Sequence, residues 1–137
     1  MSDYRRVDAK RPWAELISYS RAVRRGDLIE VGGTSATLLD GTVVAPGDAY
    51  EQTKHILKVI EEAIVELGGT LADVVRTRAY LTDIGDWEKV GRAHGEAFRS
   101  IAPASAFVEV SRLLLPELVV EIEATALISR ADAVPPT

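Results

Sequence analysis

The chain has no cysteine among its 137 residues and only two histidines, His55 and His94. The missing thiol excludes disulfides, thiolate metal sites and thiol nucleophiles, and it fits a reducing compartment. The two histidines stand far apart, without the His-Glu-x-x-His spacing of a zinc hydrolase, so no metal is implied. A Gly-x-Ser-x-Gly nucleophile turn is also missing, and Gly32-Gly33-Thr34 is not followed by the lysine and serine of a phosphate loop. Apolar runs fall short of the about 18–20 residues that cross a bilayer, so no membrane partner is expected. Met1 to Arg6 has no apolar stretch behind it, which reads against a signal peptide and toward a cytoplasmic protein.

Positive charge is scarce as well. The formal net charge is −5, and the only basic pairs, Arg5-Arg6 and Arg24-Arg25, stand near acidic residues. Neutralising phosphates supplies most of a nucleic-acid binder's affinity, so no nucleic-acid partner is expected and the pairs read as solvated surface.

An apolar fraction of 47% is ordinary for a globular chain and excludes a disordered one. The length suits one domain spanning residues 1–137, with a core at about 17–129 and a frayed tail at 130–137 carrying Pro135-Pro136. Residues from Ile17 to Val23 and from Leu28 to Val31 read as extended around a Gly26-Asp27 turn, which makes a hairpin. A short strand is expected at Val43-Val44. Tyr50, Thr53, Ile56, Leu57, Ile60, Ala63, Ile64 and Leu67 recur at helical spacing, with Asp48 placed as N-cap and Gly68-Gly69 as terminator. A strand follows at Val74 to Leu81, with Arg76 and Arg78 on one face and Val75, Thr77 and Ala79 on the other. A second helix at about Asp86 to Arg99 turns Trp87, Val90, Ala93, His94, Ala97 and Phe98 toward one side. Alternation then marks Ala104 to Val110 and Leu118 to Ile128 as strands. The pattern is α+β, with two helices covering one face of a sheet. The other face carries Leu, Val and Phe among its charges, and such a face finds a partner.

Three stretches together resemble the RidA/YjgF family, also called the L-PSP endoribonuclease family. They are Tyr19 to Val23 with Gly26 to Gly33; Gln52-Thr53 through Gly68 to Asp83; and Pro103-Ala104, Val108-Glu109-Val110 and Val120 to Ala124. The resemblance implies a chorismate-mutase-like fold assembled as a homotrimer, with small-molecule pockets between subunits and no cofactor. In the best-founded branch, a glutamate positions the water that hydrolyses a 2-imino or 2-enamino acid to a 2-keto acid and ammonia. That glutamate matches Glu121, and Tyr19, Gly32 and Gly33 match other site positions. The branch also binds the substrate carboxylate with an arginine after the Pro-Ala pair, but Ser105 stands there. Gly91 replaces a frequent asparagine of the second helix.

Ser105 offers one neutral donor where a guanidinium would make two parallel charged hydrogen bonds. Arg21 and Arg112 are the candidates to compensate, each a surface residue unless the fold brings it to the site. Alternatively, apolar contact with Phe107 and Leu127 holds the ligand. Glu121 shares strand parity with Glu123; burial together would raise one of their pKa values, whereas pairing with arginines would make both structural. Two functions remain open, an imine or enamine deaminase and a non-catalytic trimeric binder of small molecules, with ribonuclease activity disfavoured by charge.

Overall fold

The computed structural model describes residues 4–129, so the expected frayed tail lies outside the described residues. The elements are β1 (Arg5–Asp8), α1 (Ala14–Ile17), β2 (Ser20–Arg25), β3 (Leu28–Ser35), α2 (Ala49–Glu66), β4 (Val74–Leu81), α3 (Trp87–Phe98), β5 (Ala104–Glu109) and β6 (Val120–Leu127). Six strands form one sheet in the order β1-β2-β3-β6-β4-β5. All neighbours are antiparallel except β4 and β5, which α3 links as a parallel pair.

The α+β architecture agrees with the sequence pattern. Ile29, Val31, Ala79, Leu81, Val120, Ile122, Ala124 and Ala126 line the covered face of the sheet. Ile56, Ile60 and Ile64 of α2 and Val90 and Phe98 of α3 pack onto them. Apolar burial of this kind contributes about 25 cal/mol for each Å² removed from water. Asp48 caps α2 by accepting from the Glu51 amide at 3.0 Å, and Gly68 leaves the helix at φ +93. Within the β2–β3 hairpin, Arg25 pairs with Leu28 and Gly26 takes φ +60, as a two-residue loop requires.

Several local expectations are corrected. Arg5–Asp8 is an edge strand that hydrophobic alternation could not flag, because three of its four residues are charged. Ile17 ends a short helix instead of opening a strand; Ser18 then takes φ +63 and turns the chain into β2. Val43 makes only an isolated bridge with Thr37. Val75 lies on a bulge between Val74 and Arg76, which swings it to 48% exposure, away from Thr77 and Ala79. Trp87, at the first turn of α3, is exposed, and Tyr50 lies beside the stripe of α2, donating its hydroxyl to Glu96 at 2.6 Å.

The basic pairs are also more than solvated surface. Arg5 Nη2 and Arg24 Nη1 both donate to the Leu67 carbonyl, at 2.6 and 2.8 Å. Two guanidinium groups from the sheet thereby close the C-terminus of α2, where partial negative charge collects. At the other end Gln52, fully buried, donates to the Ala45 and Glu117 carbonyls and accepts from the Val119 amide. This one amide ties α2 to the loops that precede it and precede β6. Leaving each buried partner unpaired costs about 1–3 kcal/mol. Gln52→Leu is therefore expected to lose at least about 2 kcal/mol in urea unfolding; a change below about 0.5 kcal/mol would contradict this role.

His94 on α3 is a hydrogen-bonded packing residue. Its Nε2 lies 2.8 Å from Thr77 Oγ1, and its ring packs on Phe98 and edge-on to Phe107. Burial holds the imidazole below its ordinary pKa. The folded state thus favours neutral His94, so this contribution is complete above the unfolded value of about 6.5 and is lost as pH falls through the lower folded value. The urea midpoint should drop between about pH 7.5 and pH 5, and should drop less in His94→Gln; equal slopes in the two proteins would contradict it.

Candidate functional site

Two bulges shape the end of the sheet beside Glu121. Along β3 and β6, Val31 faces Ala124 but Thr34 faces Ile122, so β3 carries one extra residue at Gly32-Gly33. The extra residue reverses the parity of β3: Ile29 and Val31 point to the helices, yet so does Thr34, fully buried. Ser35 therefore lands on the open face opposite Glu121, and its hydroxyl donates to Glu121 Oε1 at 2.9 Å. A second bulge lies at Arg21, where β1 pairing shifts from Ala22 to Ser20. Bulges re-aim side chains in this way, often next to functional sites.

Gly33 has a further role. A Cβ there would collide with the Glu121 carboxylate, so a larger residue would push the carboxylate out of its present position. Glu121 is half-buried, with Oε1 held by Ser35 and the backbone of Gly33 beneath Oε2.

A cavity of about 650 Å³ opens over this carboxylate. Of the residues expected at the site, Tyr19, Arg21, Gly32, Gly33 and Glu121 line it together, as does Arg112. Arg21 is not a surface residue: it is 6% exposed, and its Nη1 donates to the Gly33 carbonyl at 2.7 Å and to Thr34 Oγ1 at 3.2 Å. It thereby holds the glycine bulge in place. The Tyr19 hydroxyl accepts from Trp13 Nε1 at 3.0 Å, and the Arg21 guanidinium lies 5.6 Å from the Tyr19 ring centroid. Arg11, behind them, spends its guanidinium on Thr37 and on backbone carbonyls; burial, then Arg21, lowers its pKa.

Ser105, Phe107 and Leu127 do not line this cavity. Ser105 accepts from Thr77 Oγ1 at 2.8 Å, and Phe107 leans on His94, so both turn toward the helices. Phe107 therefore leaves the open sheet face, where Leu28, Val75, Val108 and Leu127 stay exposed. Leu127 pairs with Leu28 at the far end of β6 from Glu121.

Glu121 and Glu123 do not form a proton-sharing pair. Glu123 accepts from Tyr80 at 2.7 Å and pairs with Arg78 at 3.2 Å. The Tyr80 hydroxyl bound to this carboxylate has its pKa raised. The structural alternative thus describes Glu123, while Glu121 has no arginine partner among the described residues. Sequence reasoning missed Trp13, Ile17, Ser20, Ser35, Thr37, Leu113 and Leu114 as lining residues. The only available signal was the apolar run after Arg112. Among the described residues no three His, Cys, Asp or Glu side chains cluster to hold a metal ion.

The family model described as Endoribonuclease L-PSP matches residues 9–128. An uncharacterized protein of Streptomyces coelicolor is 37% identical over 129 residues, covering 94% of this chain and 96% of that one. The 3-aminoacrylate deaminase RutC of Acinetobacter baylyi is 31% identical over 111 residues, 81% of this chain and 87% of its own. Among solved structures, Rv2704 of Mycobacterium tuberculosis, a member of the YjgF/YER057c/UK114 family, superposes with a TM-score of 0.83 at 42% identity. The match covers 92% of this chain and all of Rv2704. Sequence and fold agree, and the chain belongs to the endoribonuclease L-PSP family, which the solved relative names YjgF.

Proposed function

We propose that the protein hydrolyses reactive imines or enamines to carbonyl compounds and ammonia, with Glu121 as general base. The observation that carries the reading is the Glu121 carboxylate in a cavity of about 650 Å³, one oxygen held by Ser35 and the other over Gly33. Kinship with a relative named as a 3-aminoacrylate deaminase supports the reaction class.

The chemistry asks little of the protein. Glu121 takes a proton from a bound water as the water oxygen bonds to the imine carbon, and it returns that proton to the nitrogen, which keeps the former C=N electron pair, to give a carbinolamine. Glu121 then takes the hydroxyl proton and passes it to the amine; the C–N bond breaks as the C=O bond forms, and ammonia departs. Water supplies the oxygen and both protons, so no oxidant or cofactor enters the balance. Orientation of substrate and water lowers the barrier, and a positioned base contributes about 10²–10⁴-fold. An enamine joins the same path after its carbon is protonated to the imine.

The working assembly in this reading is a homotrimer. The exposed Leu28, Val75, Val108 and Leu127 on the open sheet face support association. A neighbouring copy would bring its β5 edge, with Ser105 and Phe107, against the Glu121 cavity and complete a small-molecule pocket between subunits. One observation favours the alternative of a non-catalytic binder: the Ser105 hydroxyl replaces an arginine and accepts from Thr77.

Imines generated by an amino-acid oxidase, with ammonia release followed against the enzyme-free rate, test the proposal. The protein should accelerate release, Glu121→Gln should lose at least about 100-fold of that acceleration, and the active species should sediment at three chain masses. Activity unaffected by Glu121→Gln would sink the base assignment, a stable active monomer would sink the assembly, and acceleration from neither protein would leave the binder reading standing.

A further inference from the structure

We infer that Arg112 is the carboxylate anchor of the Glu121 cavity and that the ligand is a monocarboxylate with an apolar body. This rests on the reading that the Glu121 cavity is the ligand site. Three arginines lie near the cavity, and their bonding separates them. Arg11 and Arg21 are already spent, Arg11 on Thr37 and backbone carbonyls, Arg21 on Gly33 and Thr34. Arg112 lines the cavity, is exposed, and makes no hydrogen bond or ion pair among the described residues.

A guanidinium without a partner presents two parallel N–H donors that match a carboxylate. The charges agree. Arg21, Arg112 and Glu121 are the ionised side chains lining the cavity, an excess of one positive charge before ligand enters. One carboxylate restores balance; a second would add uncompensated negative charge beside Glu121.

Four large apolar side chains share the remaining wall with Tyr19, Ser20, Ser35 and Thr37. They are Trp13, Ile17, Leu113 and Leu114, and Ile17 and Leu114 are 56% and 60% exposed. Side chains of this size favour a branched or aromatic substituent over a methyl group, at about 0.8 kcal/mol per buried methylene. Arg112 and these leucines are neighbours in sequence, so one loop before β6 supplies both the charge and the greasy surface. Glu121 then acts at the carbon next to the anchored carboxylate.

Calorimetric titration of the full-length protein tests this without relying on turnover. The probes are the 2-keto acid of leucine, its carboxamide, and pyruvate. Arg112→Gln should weaken the leucine keto acid about ten- to a hundredfold and leave the carboxamide unchanged, while Arg112→Lys recovers part of the loss. Pyruvate should bind the parent at least about tenfold more weakly than the leucine keto acid. An unchanged keto-acid affinity in Arg112→Gln, equal weakening of acid and carboxamide, or no binding to the parent would each overturn the anchor. Equal affinity for pyruvate would overturn the apolar specificity.

The two proposals fail separately. Keto-acid binding through Arg112 without ammonia release would remove the deaminase reading and leave the anchor. Turnover lost in Glu121→Gln but keto-acid affinity indifferent to Arg112→Gln would do the reverse.

Discussion

One extra residue in β3 governs the end of the sheet where the site forms. Side chains alternate along a strand, so an inserted residue sends every later side chain to the opposite face. Gly32-Gly33 performs this shift between Val31, which faces the helices, and Thr34, which also does. Ser35 consequently meets Glu121 on the open face, and the bare backbone at Gly33 leaves room for the carboxylate. The Arg21 bulge in the next strand answers it, because the buried guanidinium binds the Gly33 carbonyl. Remove the extra residue and Ser35 turns inward, Thr34 turns outward, and Glu121 loses its partner.

The rest of the fold holds that end of the sheet still. Helix α2 lies across β3 and β6 with Ile56, Ile60 and Ile64 in the core, and is fixed at both ends by polar contacts from elsewhere in the chain. Gln52 binds the segment leading into β6, and Arg5 and Arg24 close the far terminus. A site on strand backbones braced in this way is better positioned than one on free loops. Part of the cavity lies outside strands and helices: Trp13, Tyr19 and Thr37, and the Arg112–Leu114 stretch, which supplies one charge and two apolar side chains.

Much of this was readable in the residues, and the failures have physical causes. The α2 stripe, its Asp48 cap, the β2–β3 hairpin and the alternation of β6 were visible because burial on one face imposes a period. The strand of Arg5–Asp8 was hidden because an edge strand buries little and carries charge. The exposure of Val75 and the placement of Ser35 both depend on bulges, which shift parity without leaving a mark in composition. Glu121 and Tyr19 came from resemblance, and they do share a cavity. The grouping of Ser105 and Phe107 with them does not occur in the folded chain, since both residues turn to Thr77 and His94. Glu123 illustrates the converse: identical chemistry two residues from Glu121, but satisfied by Tyr80 and Arg78.

The proposed ligand site is the cavity over Glu121. Backbone amide chemical shifts recorded during titration with the 2-keto acid of leucine test it most directly. Perturbations should concentrate at Gly32, Gly33, Ser35, Leu113, Leu114 and Glu121. Perturbations confined to the groove between α2 and α3, or to the Arg78–Glu123 region of the open sheet, would contradict it.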